Sequence, residues 1–214
     1  MSEERSVDGA LDRTADGIDM DGAVEVLSCD TVYTGAIFHV EDMTLRLPAT
    51  PDADGTRREG PVIRRQVLRH APCVVMLVHD TATDRYLIER EYRVGCDRFA
   101  FGLPAGLMDA GEGIEQAALR ELAEETGVAP EPGRYRIERV ADCWSSEGMA
   151  DELAHIMVIH MDAWRRVPLD LDRDEHVASG WIDWAGLKAL DVTASNSIIA
   201  IQHERLRRQR AGID

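Results

Sequence analysis

Three glutamates, Glu121, Glu124 and Glu125, are the side chains of this sequence best placed to do chemistry. A helix would carry all three on one face, because residues three and four positions apart are neighbours on its surface. Arg120 is the only basic residue between 106 and 128, and like charges at this spacing destabilise a bare helix. A hard divalent cation would remove the repulsion, and all-oxygen ligands favour Mg²⁺, or Mn²⁺ as its substitute, over zinc. The alternative, a solvated acidic face, would usually carry lysine or arginine at the i+4 positions.

The segment around these glutamates has the pattern of an amphipathic helix. Apolar residues recur at helical spacing between 114 and 123, which predicts a helix over 112–126. Gly127 follows at the position where a left-handed residue ends a helix. Glu112 stands near the predicted start, where we expect it to orient the loop and a water molecule rather than to bind the cation directly.

The spacing of these residues resembles a known family motif. From Gly106 to Val128 the chain reads GLMDAGEGIEQAALRELAEETGV. It is similar to the Nudix box, G-x5-E-x7-R-E-U-x-E-E-x-G-U with U aliphatic, and it matches that pattern at every specified position. Upstream, FGLPAGLMDAGE resembles the PAG segment of the ADP-ribose pyrophosphatase branch, although Gly102 stands where that branch tends to place an acidic residue. The resemblance implies that the backbone carbonyl of Ala105 completes a metal site with Glu121 and Glu125.

A second acidic segment resembles the loop that carries the water-activating glutamate in this branch. The chain reads SSEGMADE over 145–152, where the branch has S-P-G-x-S/T-x-E. The resemblance assigns the base to Glu152, which would take a proton from the attacking water. Glu147 occupies the position of the loop proline and Ala150 that of the serine or threonine, and Glu147 is the second candidate for the base. An exposed loop charge is the alternative interpretation.

Three further side chains are expected to contact the substrate. Arg93 ends the segment EREYR, which looks like the family segment whose last arginine reaches a substrate phosphate, and a planar guanidinium holds phosphate at two points. Arg65, in VIRRQ, resembles an arginine that lies near the nucleoside, and that analogy favours it over Arg64. Arginines that only add solubility to a strand edge are the alternative for Arg65 and Arg93. Phe38 would stack on a base or, alternatively, pack in the core.

The composition limits the classes of partner. With 24 basic and 40 acidic residues the formal net charge is −16, which repels nucleic acid and anionic membranes unless a basic patch or a bound cation intervenes. No apolar run approaches the roughly 18 residues of a membrane span. The first 22 residues lack the cationic start and the apolar stretch of a secretory signal, so we expect a cytoplasmic protein. The four cysteines form no CxxC pair, which favours reduced thiols over a zinc site.

The remaining pattern divides the chain into three predicted parts. Residues 1–23 are acidic and poor in apolar side chains, and we expect them to be flexible. Residues 24–70 are expected to form a small β-domain and residues 71–214 the main domain. The pattern predicts strands at 31–40, 42–47 and 62–69 in the first, and in the second strands at 74–78, 86–93, 137–143 and 156–161 and helices at 181–190 and 195–210.

The fold class expected from this pattern is α+β. The Nudix resemblance implies an α/β/α sandwich around a mixed sheet, preceded by a small N-terminal antiparallel β-domain that packs on a second subunit in relatives. A homodimer is therefore expected. The expected function is Mg²⁺-dependent hydrolysis of the diphosphate linkage of a nucleoside diphosphate sugar, with ADP-ribose, cleaved to AMP and ribose 5-phosphate, as the favoured substrate.

Alternatives to this function stay open. Within the enzyme class, another nucleoside diphosphate sugar or a dinucleoside polyphosphate could be the substrate, although the tyrosine that marks many polyphosphate hydrolases is not evident over 144–146. A non-catalytic ADP-ribose sensor is the alternative from another class. Sensors commonly lose carboxylates of the box and gain a DNA-binding segment, whereas here every carboxylate is present. His155 and His160 would point to opposite faces of one strand and are interpreted as ordinary strand histidines.

Overall fold

The computed structural model of the protein describes residues 17–51, 54–56, 58–171, 173 and 176–213. The chain divides into two compact units, which adjoin in sequence between Leu68 and Arg69. Most of the acidic segment that we expect to be flexible, residues 1–16, lies outside the described residues. The rest of that segment includes Ile18, which forms an isolated antiparallel bridge with Ala49. Within the described part of the chain, none of the helices combines the length and the apolar character needed to cross a membrane.

The first unit is built on a three-stranded sheet. Its strands, in the order β1-β2-β3, are β1 (Glu25–Thr34), β2 (Phe38–Arg46) and β3 (Val62–His70). The prediction of one strand over 31–40 is wrong, because the chain turns at Gly35, whose backbone N–H donates to the carbonyl of Phe38 at 2.8 Å. The two halves of that stretch therefore lie in neighbouring antiparallel strands.

The second unit is an α/β/α sandwich around a mixed sheet. Its strands are β4 (Cys73–Asp80), β5 (Arg85–Arg93), β6 (Arg98–Gly102), β7 (Ala105–Leu107), β8 (Val128–Pro130), β9 (Tyr135–Trp144), β10 (Leu153–Met161), β11 (Trp164–Arg166) and β12 (Ala178–Asp183). Its helices are α1 (Ile114–Thr126), α2 (Trp184–Ala189) and α3 (Ser195–Ala211). The main sheet has the order β12-β5-β4-β10-β9, with β6 paired to β5 and β7 to β4. Strands β4 and β10 are parallel and the other pairs antiparallel, which confirms the predicted α+β class with a mixed sheet.

The central strand β4 is buried on both faces, as its continuous apolar run predicts. On one face Val74 packs in a cluster that includes Leu122 of α1. On the other face Val75 packs in a cluster with Leu187 of α2 and Ile201 of α3. The helix that carries the three glutamates is therefore held against one face of the sheet by apolar burial.

The predicted helix over 181–190 begins too early. Trp181 lies in β12, where it pairs with Leu87 of β5, and the helix starts only after Asp183. The side chain of Asp183 accepts the backbone N–H of Gly186 at 2.7 Å and so caps the first turn of α2. No sequence pattern predicted the strands β6, β7, β8 and β11, because strands of three to five residues are too short for alternation to be recognised.

Helix α3 is held to the sheet by a buried polar network. Glu204 is fully buried and accepts hydrogen bonds from the Tyr86 hydroxyl at 2.5 Å and from Nε and Nη2 of Arg207 at 2.6 and 2.7 Å. Arg208 donates to both carboxylate oxygens of Asp84, at 2.7 and 3.0 Å, and these hydrogen bonds lower the pKa of Asp84 to about 2. Charge-assisted hydrogen bonds therefore fix α3 in addition to apolar packing.

Two buried histidines extend this network across the sheet. Nδ1 of His79 lies 3.0 Å from Nδ1 of His160, and Nε2 of His79 lies 2.9 Å from Oδ1 of Asp84. Because Asp84 can only accept, Nε2 of His79 carries a hydrogen, and the hydrogen between the two Nδ1 atoms then belongs to His160. Burial lowers the pKa of His160 to about 4, so this ring is neutral at pH 7.

Candidate active site

Helix α1 presents its glutamates from a fixed position. It begins after Gly113 and ends at Gly127, whose φ of 68° is left-handed and whose N–H donates to the carbonyl of Ala123 at 3.0 Å. Ala118 and Leu122 are fully buried on the inner face of the helix. The predicted helix is therefore confirmed, and it starts two residues later than the apolar spacing suggested.

Gly106 brings the backbone of β7 against the carboxylate of Glu121. A Cβ atom at position 106 would lie 2.0 Å from Cδ and 2.3 Å from Oε2 of Glu121, which real side chains do not tolerate. The glycine is needed here for close approach, and no left-handed backbone angle is involved. Ala105, the preceding residue of β7, pairs with Val75 of the central strand. Ala105, whose carbonyl is expected to bind the cation, is therefore the chain neighbour of Gly106, which packs against Glu121.

Arg120 neutralises the carboxylates around it. Its Nη1 donates to Glu121 and to Glu124, at 2.9 Å in each case. Its Nε and Nη2 donate to the two oxygens of Glu112 at 2.9 and 2.8 Å, and these hydrogen bonds hold the pKa of the Glu112 carboxyl below its usual range. Glu112 also accepts the backbone N–H of Asp109 at 3.1 Å. Glu112 thus ties the loop before α1 to Arg120, as its place in the sequence indicates.

The donor set at this site fits a hard divalent cation. Glu121, Glu124 and Glu125, with the Ala105 carbonyl, offer oxygen ligands only, which suits Mg²⁺ or Mn²⁺. The Glu121 carboxylate occupies the space that a side chain at position 106 would fill, so it lies directly against the backbone of β7. Among the residues that the structure describes, no three His, Cys, Asp or Glu side chains stand together as a preformed cation cage. Because Arg120 holds two of the glutamates, a cation would compete with it for their oxygens.

Glu152 lies just before β10, at the same end of the sheet as β7. In register, Ala154 of β10 is opposite Cys73 of β4, and Cys73 is opposite Leu107 of β7. β4 therefore lies between β10 and β7, and two strand spacings, about 10 Å, separate Ala154 from Leu107. Burial and, to a smaller extent, the negative charge of Glu152 raise the pKa of the Cys73 thiol to about 12. Oε1 of Glu152 lies 3.5 Å from Nδ1 of His70.

The two candidate bases occupy different parts of one loop. The carbonyl of Ser146 accepts the backbone N–H groups of Met149 and Ala150 at 2.9 and 2.8 Å, which makes a tight turn that contains Glu147. Glu152 stands at the base of the loop, next to β10. Glu147 thus lies in the turn of the loop and Glu152 at its base. The choice of Glu152 as the base stays a prediction.

Arg93 lies at the end of β5, in the hairpin that β5 forms with β6. It pairs in register with Arg98. The last pair of this hairpin, Glu89 with Gly102, lies four residues away, a distance of about 13 Å along the strands. Its side chain is 57% exposed and forms an ion pair with Glu91 at 3.0 Å. Arg93 is thus accessible to a ligand, and its contact with a substrate phosphate stays a prediction.

Arg65 and Phe38 belong to the sheet of the first unit. Arg64 donates from Nε to Asp42 at 2.7 Å, whereas Arg65, which follows it in the strand and so points to the other face, donates to the carbonyl of Arg64 at 2.9 Å. Phe38 packs against Tyr33 with 5.6 Å between ring centroids and is only half-buried. Their part in substrate binding stays a prediction.

Two contacts at the site were missed in the sequence analysis. Gly106 was noted only as a matched position of the box, although the requirement for glycine there was a usable signal for close packing. Asp151 accepts a hydrogen bond from Arg69 at 3.1 Å, and these residues lie 82 positions apart. No local pattern could connect them, because their approach depends on strand pairing.

The family of the chain follows from its sequence together with this geometry. The NUDIX domain model matches residues 69–200, which is more than half of the chain, so the chain belongs to the Nudix family. It is a hydrolase of that family and is similar to the ADP-ribose pyrophosphatases within it. Nudix hydrolases generally use divalent metal ions, in agreement with the oxygen donor set on α1.

Individual relatives cover most of the chain. An ADP-ribose pyrophosphatase of Bacillus subtilis (strain 168) is 29% identical over 153 residues, which span 72% of this chain and 75% of the relative. A methanol dehydrogenase activator of Bacillus methanolicus is 26% identical over 186 residues, spanning 85% and 92%. The crystal structure of an ADP compounds hydrolase superposes with a TM-score of 0.68 at 21% identity, covering 90% of this chain and 98% of the other, and it shows the shared fold.

Proposed function

We propose that this chain hydrolyses the diphosphate linkage of a nucleoside diphosphate sugar, with Mg²⁺ as the cofactor and Mn²⁺ as a possible substitute. ADP-ribose, cleaved to AMP and ribose 5-phosphate, is the substrate that we favour. The observation that carries the proposal is the placement of Glu121, Glu124 and Glu125 on one helix, with Gly106 packed against the first of them. The similarity to an ADP-ribose pyrophosphatase supports the substrate class.

Each part of the site has a separate task in this proposal. Glu121, Glu125 and Glu124, together with the carbonyl of Ala105, would hold the cation. When bound, the cation would neutralise the diphosphate oxygens, which this acidic chain otherwise repels, and would lower the pKa of water. Glu152 accepts one proton from the attacking water, whose oxygen bonds to phosphorus as the P–O bond of the bridge breaks.

Three side chains would bind the rest of the substrate. Arg93 is more than half exposed and presents a planar guanidinium, which suits alignment of the diphosphate. Arg65 and Phe38 would contact the nucleoside. Arg65 is supported over Arg64 because the latter is already paired with Asp42.

We also propose that the chain forms a homodimer and acts in the cytoplasm on small molecules, without nucleic acid or membrane partners. The dimer is supported by β1, all ten residues of which are exposed in the single chain. Its exposed residues include Val26, Val32 and Tyr33, and apolar side chains grouped on a sheet are typical of an interface.

A substrate panel tests the proposed reaction. The chain would be incubated with Mg²⁺ and ADP-ribose, GDP-mannose or diadenosine polyphosphates, and the products separated by chromatography. We expect AMP and ribose 5-phosphate from ADP-ribose at the highest rate. Faster cleavage of another compound would replace ADP-ribose as the substrate. No cleavage in the whole panel, with binding of ADP-ribose retained, would instead favour a sensor.

A further inference from the structure

The loop over 145–152 is tethered at its base by Arg69 and His70, the first two residues of the second unit. Asp151 accepts a hydrogen bond from the backbone N–H of His70 at 2.9 Å and another from Nη1 of Arg69 at 3.1 Å. Although burial acts to raise it, these two hydrogen bonds hold the pKa of the Asp151 carboxyl below its usual range. The two donors, one a side-chain and one a backbone group, belong to consecutive residues, so one short segment of the chain holds both oxygens of the Asp151 carboxylate.

Glu152, the next residue, has two further contacts. Its backbone carbonyl accepts the N–H of Ser145 at 3.3 Å, which closes the base of the loop. Its Oε1 lies 3.5 Å from Nδ1 of His70, and that nitrogen also lies 2.9 Å from the carbonyl oxygen of Ala71. Because both neighbours of Nδ1 are acceptors, Nδ1 carries a hydrogen; its hydrogen bond goes to the nearer Ala71 carbonyl, and the Glu152 carboxylate lies beside the same ring nitrogen.

We propose that Asp151, held by Arg69 and His70, is a positioning residue that fixes the carboxylate of Glu152 for proton transfer from the attacking water. The inference rests on the proposed function, because it requires Glu152 to be the base. A base must lie within hydrogen-bond reach of the proton that it accepts, and a displacement of about 1 Å lowers the rate about 100-fold. A tether on the adjacent residue therefore controls the rate without touching the substrate.

The ion pair between Arg69 and Asp151 contributes little to the stability of the fold. The side chains of Asp151 and Arg69 are 36% and 33% exposed, and a solvent-accessible pair of this kind typically contributes at most about 1 kcal/mol. Loss of the tether should therefore change the position of Glu152 more than the population of folded protein. This difference separates a positioning role from a structural one.

The test compares D151A with a matched control, D162A. Asp162 accepts a hydrogen bond from Nε of Arg134 at 2.8 Å, so its removal also breaks an exposed carboxylate–guanidinium pair, but near the other end of β10. In the Mg²⁺ assay with ADP-ribose, we expect D151A to lower kcat about 100-fold and to change KM by less than about twofold. D162A should leave both constants unchanged. R69K keeps a charged donor and should have a kcat between those of D151A and the wild type.

Hydrogen exchange supplies a measurement that needs neither metal nor substrate. Peptides that cover 145–152 should exchange faster in D151A than in the wild type, because the tether at the loop base is lost. The same peptides should exchange at the wild-type rate in D162A. If D151A does not fold, R69Q removes one of the two contacts and answers the same question.

Several results would overturn the proposed positioning role of Asp151. These are a wild-type kcat in D151A, a change confined to KM, an equal loss in D162A, or loop exchange that does not respond to the variant. Failure of the proposed function looks different: the wild type would then cleave no compound of the panel. The exchange comparison would still decide whether Asp151 holds the loop.

Discussion

The close approach of Gly106 to Glu121 makes the G106A variant informative at the scale of single residues. The added methyl group would overlap the carboxylate, so Glu121 must leave its position. We expect a fall in kcat of about 100-fold and a loss of about 1–3 kcal/mol in the free energy of unfolding. Rate measurements and urea titrations of the same samples would show both effects.

G180A is the matched control for that substitution. Gly180 lies in β12, has no heavy atom within 4 Å of an added Cβ and has no left-handed backbone angle. The free energy of unfolding of G180A should differ from that of the wild type by no more than about 0.5 kcal/mol, and its kcat should be unchanged. A G106A enzyme as active and as stable as G180A would show that the contact with Glu121 is unimportant.

The part of the site that is local in sequence could be predicted at this scale. Spacings of three and four residues alone place Glu121 and Glu124 on one helix face, next to Arg120, and the structure joins all three. The contact of Asp151 with His70 could not be predicted, because these residues are 81 positions apart and meet only through the folded chain. Sequence patterns report neighbours along an element, not neighbours across a sheet.

At the scale of elements, α3 depends on its buried charge network as well as on its apolar contacts. E204A would leave the Tyr86 hydroxyl and the Arg207 guanidinium without their shared acceptor, and breaking a buried pair in this way typically costs about 3–5 kcal/mol. We expect E204A to lower the free energy of unfolding by about 3 kcal/mol in urea. R205A, at the exposed neighbouring position, should change it by less than about 0.5 kcal/mol. Equal effects of the two substitutions would contradict this account of α3.

Long elements with clear periodicity could be predicted, and short ones could not. The apolar spacing identified α1, and β4 was recognised by its continuous apolar run. The last three residues of β12, 181–183, were included in a predicted helix over 181–190, because the pairing of β12 with β5 is not visible in its own sequence. The three residues of β7 carry no pattern at all, although they bring Gly106 to the site. Tertiary pairing defines these elements more than their own side chains do.

At the scale of the whole molecule, the buried histidine pair predicts an acid-sensitive stability. Burial lowers the pKa of His160 to about 4, against 6.5 for the free residue, so between these values the unfolded chain binds more protons than the folded one. The contribution of neutral His160 to the free energy of unfolding is fully present above pH 6.5 and is lost as the pH falls toward 4. We expect it to amount to about 3 kcal/mol over that interval.

Urea titrations at several pH values between 4 and 7 measure this effect. The free energy of unfolding should fall more steeply with acid in the wild type than in H160Q, which cannot titrate at this position. The exposed His176 supplies the control, and H176Q should follow the wild-type curve. The interpretation fails if the curve of H160Q is as steep as that of the wild type.

The exposed first strand predicts an assembly larger than one chain. All ten residues of β1 are exposed in the single chain, including Val26 and Val32, and a second copy would cover them. Light scattering during gel filtration should therefore give twice the 23.8 kDa of one chain. The V32D variant should shift the population toward the single chain. A wild-type mass of 23.8 kDa at every concentration would contradict the dimer.

The central claim is that the glutamates of α1 hold a divalent cation without which the diphosphate bridge is not cleaved. The most direct test is the turnover of ADP-ribose by E125Q at saturating Mg²⁺, beside the wild type, with circular dichroism of both proteins. We predict that E125Q has no measurable turnover and an unchanged spectrum, because the substitution removes a charged oxygen ligand while it keeps the shape of the side chain. An E125Q enzyme that turns over ADP-ribose at the wild-type rate would contradict the claim.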